Sequence, residues 1–186
     1  MSNNIYQNCP VFSNDLLTLR LISDEDTEEL LKCYSDEAAV PLFNSDNCNG
    51  DDFHYTTLER MREAVEFWKY SYENGWFVRL TVILNDTGEK IGAVEMFNRG
   101  NDPIYRSHGI LRIDLMSRYE RTDVVSAILK LANEHFYEAF GVDCILTKAI
   151  HSATNRIAAL VAEGYTNADD FEVGPNYYFR RKNTLN

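Results

Sequence analysis

The chain has 186 residues with 18 Lys+Arg against 29 Asp+Glu, a formal charge of −11. Apolar content of 45% and charged content of 25% exclude wholesale disorder, and the length suffices for one domain that folds without disulfides or metals. The acidity excludes a general nucleic-acid binder, which needs a basic face to displace counterions.

Leu17, Leu19 and Leu21 alternate with Thr18 and Arg20, the pattern of a half-buried strand. Ser23 and Asp26 have capping-box spacing, and Leu30, Leu31 and Tyr34 supply the apolar stripe of the helix that follows. Pro41 breaks the chain, and Asn44 to Asp52 reads as a polar loop. A long helix is predicted over Thr56 to Glu73, with Leu58, Met61, Val65, Trp68 and Tyr72 on one face and Asn74-Gly75 as its stop. Trp76-Phe77 opens a strand and is expected in the core.

Val78, Leu80, Val82 and Leu84 alternate with Arg79, Thr81 and Ile83. A turn over Asn85 to Gly88 returns the chain as a hairpin strand, Lys90 to Asn98. Asn101-Asp102-Pro103 is a loop. Ile110 to Met116 is the next strand, with Leu111, Ile113 and Leu115 facing one way and Arg112 and Asp114 the other. Past Ser117 to Asp123 comes a helix carrying Val125, Ile128, Leu129, Ala132 and Phe136, closed by Gly141. Cys144 to Ile150 is β-rich, Ile157 to Val161 marks a short helix ended by Gly164, and Asn176 to Arg180 is an aromatic strand. An extra strand fits near Tyr165. A central hairpin and a late β-α-β unit predict an α/β (α+β) fold with a mixed sheet flanked by helices.

No basic region followed by an apolar core opens the sequence, and no apolar run approaches the roughly 18 residues needed to cross a bilayer. Cys9, Cys33, Cys48 and Cys144 form no C-x-x-C pair, so free thiols and a cytoplasmic location are expected, without a membrane partner. His54, His108, His135 and His151 show no metal or triad spacing, so no metal is expected. His108, just before a strand, reads as a loop histidine.

From Asp15-Leu16-Leu17-Thr18-Leu19-Arg20-Leu21 onward the chain resembles the GNAT superfamily of N-acetyltransferases, in particular the branch of ribosomal-protein N-terminal acetyltransferases. The strand Ile110-Leu111-Arg112-Ile113-Asp114-Leu115-Met116, the helix after it and the ending Glu163-Gly164-Tyr165 carry that resemblance. It implies a mostly antiparallel central sheet, one domain over residues 1–186 (core about 15–182) and acetyl-CoA as cosubstrate. Leu115 and Met116 would line the pantetheine arm from a splayed strand.

The family's pyrophosphate loop reads Q/R-x-x-G-x-G/A, in which backbone N–H groups at a helix N-terminus hold the phosphates. The matching stretch is Arg118-Tyr119-Glu120-Arg121-Thr122-Asp123. Arg118 fits the first position, while Arg121 and Asp123 stand where the glycines belong. Arg118, Arg121, Thr122 and Asp123 are therefore the cofactor candidates. The asparagine that usually starts the next helix aligns with Ala153, and Asn155 lies two positions off.

Asp114 and, on the hairpin strand, Glu95 are the two candidates for the base that takes the amine proton. The tyrosine often used as acid is replaced by Leu160, leaving Tyr165, Tyr177 and Tyr178 as substitutes.

Residues 1–60 hold twelve acidic and three basic side chains. In GNAT proteins the first two helices wall the acceptor site, so Asp46, Asp51 and Asp52 can draw in a cationic amine. The function implied is acetyl transfer to a primary amine: a protein N-terminus, a polyamine or a small cation. The alternative is a catalytically impaired GNAT-fold binding or regulatory domain. A monomer or homodimer is expected.

Overall fold

Period-two alternation builds the centre of the molecule. In the computed structural model, which describes residues 5–43, 48, 50–100, 107–168 and 176–182, eight strands form one sheet. They are β1 (Phe12–Ser13), β2 (Leu17–Leu21), β3 (Val78–Leu84), β4 (Lys90–Asn98), β5 (His108–Leu115), β6 (Cys144–Lys148), β7 (Thr166–Asn167) and β8 (Tyr177–Arg181). The order is β1-β2-β3-β4-β5-β6-β8-β7, and every neighbouring pair is antiparallel except β5 with β6. The expected mixed, mostly antiparallel sheet with flanking helices is what forms. β7 is the extra strand near Tyr165, and β1 was not read from the sequence.

Helices α1 (Thr27–Tyr34) and α2 (Leu58–Glu73) cover one face, and α3 (Thr122–Leu131), α4 (Tyr137–Phe140) and α5 (Thr154–Ala162) the other. A π-turn over Ala132–Phe136 joins α3 to α4. Thr57 caps α2, its side chain accepting from the Arg60 N–H at 3.2 Å. The α3 face is apolar: Leu80, Val82, Val94, Met96, Leu111 and Ile113 pack with Val125, Ile128 and Leu160. The α1/α2 face carries Arg79, Thr81, Glu95, Arg112 and Asp114, and it is buried too.

Two local features shape the region around the end of β5. β5 pairs with β6 only over His108–Ile110, so its remaining residues part from β6 in a V. On its other side β5 lies against Gly92 so closely that a Cβ there would meet the Asp114 carbonyl oxygen at 2.0 Å and the Leu115 Cα at 2.9 Å. Only glycine allows that approach.

Asp26 ties α1 to the sheet. Its fully buried carboxylate accepts from Arg20 (2.6 and 2.8 Å), the Thr81 hydroxyl (2.6 Å) and the Ser23 N–H (2.9 Å), with the Lys90 ammonium at 3.3 Å. Burial pushes this carboxyl up, but the hydrogen bonds outweigh it and hold it below the ordinary 3.8.

Trp76 differs from expectation: it precedes β3 and is 52% exposed rather than core, packed edge-on to Tyr70. The loop Asn101-Asp102-Pro103 and Asp46 lie outside the described residues. Among the described residues no helix is long and apolar enough to cross a membrane. All four cysteines are free.

Two stability measurements check this account. Gly92→Ala is expected to cost about 2–3 kcal/mol in urea unfolding, because β4 and β5 must separate to admit the methyl. Asp26→Asn is expected to cost about 3 kcal/mol at pH 7, since it leaves Arg20 facing a neutral partner. A depressed folded pKa means that the Asp26 contribution is present above 3.8 and is lost as pH falls through the lower folded value. An acid titration of stability will therefore show a smaller decline below pH 3.8 in the variant than in the wild type.

Candidate functional site

The polar rows of β3, β4 and β5 face the same way and stand in register. Arg79 is opposite Glu95, and Glu95 is opposite Arg112, so charges alternate straight across three strands. Asp114 lies two residues along β5 from Arg112, on the same face. The Arg79 Nε and Nη2 both donate to Glu95 Oε2, at 3.1 and 2.6 Å. Its Nη1 donates to Asp114 Oδ2 at 3.1 Å and to the Tyr34 hydroxyl, which in turn donates to Asp114 Oδ2 at 2.9 Å.

Aromatic rings from the α1/α2 layer close over these groups. The Arg79 guanidinium lies 4.0 Å from the Trp68 ring centre and the Arg112 guanidinium 3.7 Å from that of Phe53. Burial, reinforced by Asp114, pushes the Tyr34 phenol well above its usual value despite Arg79, so the hydroxyl stays protonated. Burial works against the charge on Arg79, but Tyr34, Glu95 and Asp114 outweigh it and raise its pKa.

Both candidate bases thus sit in one cluster, but not equally placed. Glu95 Oε2 is held by two arginine N–H groups. Asp114 is fully buried, and among the described residues its Oδ1 has no hydrogen-bond partner, the Arg112 Nε standing 3.5 Å away. Oδ1 is the oxygen available to take or share a proton.

At the end of β5, Leu115 and Met116 are buried, and the Met116 N–H donates to the Ile91 carbonyl at 3.0 Å. The loop arginines beyond them are exposed and already paired. Arg118, 61% exposed, bonds Glu89, as does the Tyr119 hydroxyl. Arg121, 54% exposed, reaches forward two residues to Asp123 through Nε (3.0 Å) and Nη2. The hydrogen bond from Tyr119, with that from Arg118, holds the Glu89 carboxyl below its ordinary value. The hydrogen bond from Arg121 does the same for Asp123. Thr122 and Asn155 are brought together: the Thr122 hydroxyl donates to the Asn155 carbonyl at 3.3 Å, and the Asn155 amide donates to the Glu120 carbonyl at 3.0 Å.

Sequence reasoning missed Arg156, the third residue of α5. It is 2% exposed and reaches into the V between β5 and β6. Its Nε and Nη2 donate to the two carboxylate oxygens of Glu120 at 2.6 and 2.8 Å. Nη2 also donates to the Ile113 carbonyl at 2.9 Å, and Nη1 to the Leu42 carbonyl at 3.0 Å. An arm threading the V along the free edge of β5 would have to displace this side chain.

The other candidates lie elsewhere or are engaged. Leu160 is core, and the Tyr165 hydroxyl donates to Asn133 Oδ1 at 3.1 Å on the α3 side. Asp51 accepts from the Phe53 N–H, the Tyr55 hydroxyl and Arg60, and Asp52 from the His54 N–H. Among the described residues no group of His, Cys, Asp and Glu is arranged to hold a metal.

No family model matches the sequence, and a search of curated proteins yields no match. Solved structures do match. An acetyltransferase of the GNAT family from Bacillus anthracis is 12% identical, with 93% of this chain and 99% of that one covered and a TM-score of 0.68. A Vibrio cholerae protein described as a "putative ribosomal-protein-serine acetyltransferase" is 14% identical over 93% and 98%, with a TM-score of 0.66. RimJ of Mycobacterium smegmatis, solved in complex with CoA-disulfide, is 14% identical over 89% and 81%, with a TM-score of 0.70. With its parted β5 and β6 and α3 beyond them, this chain has the fold of the GNAT acetyltransferases.

Proposed function

We propose that this chain, as one domain over residues 1–186, transfers an acetyl group from acetyl-CoA to a primary amine. The reading is carried by the V: β5 leaves β6 after Ile110 and runs on to Leu115 unpaired with β6, and a 3-10 turn over Ser117–Tyr119 then leads to α3. Structural neighbours of this shape are acetyltransferases, and RimJ among them binds CoA as the disulfide. Asp114 Oδ1 takes the amine proton, since its partner oxygen is occupied and it is not. Thr122 at the start of α3 and Asn155 at the start of α5, which bond each other, hold the phosphate end. The net charge of −11 opposes a nucleic-acid partner, and free thiols fit the reducing cytoplasm.

A specific observation supports a second reading, a GNAT-fold binding domain with an impaired cofactor site. On this reading the side chains around the V keep acetyl-CoA out. Arg156 and Glu120 fill the V, and Arg118 and Arg121 are each tied to a carboxylate.

Calorimetric titration with acetyl-CoA separates the readings. Acetyl transfer predicts saturable binding with a Kd below about 1 mM and thiol release on an amine panel. The double variant Arg156→Ser/Glu120→Ser removes both buried charges together and opens the V. Binding by that variant alone would establish the impaired site, and binding by neither would end the acetyl-CoA reading. If transfer is observed, Asp114→Asn is expected to lower kcat by about 100-fold or more.

A further inference from the structure

Arg79, Arg121 and Arg156 meet their carboxylates through one edge of the guanidinium, that formed by Nε and Nη2. This fork matches a carboxylate's geometry. Arg112 is the exception. Its side chain is 5% exposed, yet its Nε and Nη2 have no hydrogen-bond partner. Among the described residues its Nη1 donates to Cys48 Sγ at 3.5 Å and stands 3.7 Å from Glu95 Oε1. Charged donors left unmade in the interior are costly, so an empty fork at such depth calls for an occupant.

Beside the fork lies the orphan acceptor. Asp114 Oδ1 is buried without a hydrogen bond, 3.5 Å from Arg112 Nε. Two donors and one acceptor, adjacent, held only by long ion pairs of 3.5 and 3.7 Å and without a hydrogen bond, describe the complement of a ligand that carries an anionic and a cationic group side by side. The charge of the cluster narrows this further. Arg79 and Arg112 balance Glu95 and Asp114, and the Tyr34 phenol is neutral. A bare carboxylate or a bare ammonium would unbalance a low-dielectric site, whereas a zwitterion leaves it neutral.

Phe53 roofs the site. Its ring centre is 3.7 Å from the Arg112 guanidinium, and its backbone is held at φ 60°, which a bulky side chain rarely adopts.

We propose that Arg112 and Asp114 form a binding site for a free α-amino acid, with its carboxylate on the Nε/Nη2 fork of Arg112 and its ammonium on Asp114 Oδ1. Its entry requires displacement of the Phe53 ring from the Arg112 guanidinium. This rests on the reading that the α1/α2 face receives the acceptor amine, and it names the acceptor class.

The test is calorimetry of the full-length protein with each of the twenty L-amino acids, without acetyl-CoA, and then with the carboxamide of any that binds. At least one amino acid is expected to bind with a Kd below about 1 mM. Its carboxamide should bind at least about 10-fold more weakly, because the bidentate charge-assisted contact is lost. Arg112→Lys, which keeps the charge and loses the fork, should weaken the free acid by a similar factor and the amide little. No binding by any of the twenty at about 10 mM overturns the proposal and leaves Arg112 and Asp114 as a long ion pair only. Equal binding of acid and amide overturns the carboxylate assignment, with the wild-type fold never in question. The cofactor is absent throughout, so failure of acetyl-CoA to bind is a separate result.

Discussion

The arrangement of the whole α1/α2 layer depends on one buried guanidinium. Arg79, the second residue of β3, is fully buried. Removing such a charge from water costs several kcal/mol, and only close partners offset it. Glu95 supplies two hydrogen bonds, Asp114 one, and Tyr34 a further oxygen held by α1. Trp68 from α2 stacks on the group at 4.0 Å. Two neighbouring strands, two helices and two carboxylates are therefore fixed relative to one guanidinium. This is why a sheet face written in polar residues can be covered by helices: the charges cancel in register before the helices arrive.

The polarity of that face was legible, but its burial was not. Alternation placed Arg112 and Asp114 on one side of their strand, and Glu95 on the hairpin strand beside them. Hydrophobic pattern alone reads such a face as solvated, because half-buried antiparallel sheets usually are. The register itself had no local signal: Ile83 pairs with Lys90 beside the turn, and a bulge between Val82 and Ile83 then shifts the pairing by one residue, which is what puts Arg79 opposite Glu95. A charge row across three strands argues for pairing in place of exposure.

Other features had no local signature. Arg156 and Glu120 are 36 positions apart, on a helix start and a loop, and nothing in their spacing links them. The loop's missing glycines were visible, as was the acidic group at the start of α3. What those side chains do instead was hidden: Arg118 turns back to Glu89 across the hairpin, and Arg121 to Asp123. Trp76 failed for the opposite reason. An aromatic pair before a strand has core-like composition, but the chain has not yet entered the sheet at that point, and Trp76 packs on Phe67 and Tyr70 at the surface.

The uneven acidity takes on a different meaning once partners are known. The first third of the sequence has too few cations of its own, and it recruits them from later segments. Asp24 pairs with Lys69 of α2, and Asp26 and Glu29 both engage Lys90 at the start of β4. Asp51 is turned inward to Phe53, Tyr55 and Arg60, shaping the segment that carries the roof over Arg112. Charges committed to such contacts are poor sources of a long-range field, since each is neutralised within hydrogen-bond distance. The acidic third therefore acts first as a set of clamps that hold α1, α2 and the Phe53 segment onto the sheet. One layer deeper the pattern reverses: among the described residues, Asp114 Oδ1 and the Nε and Nη2 of Arg112 are buried without a hydrogen bond.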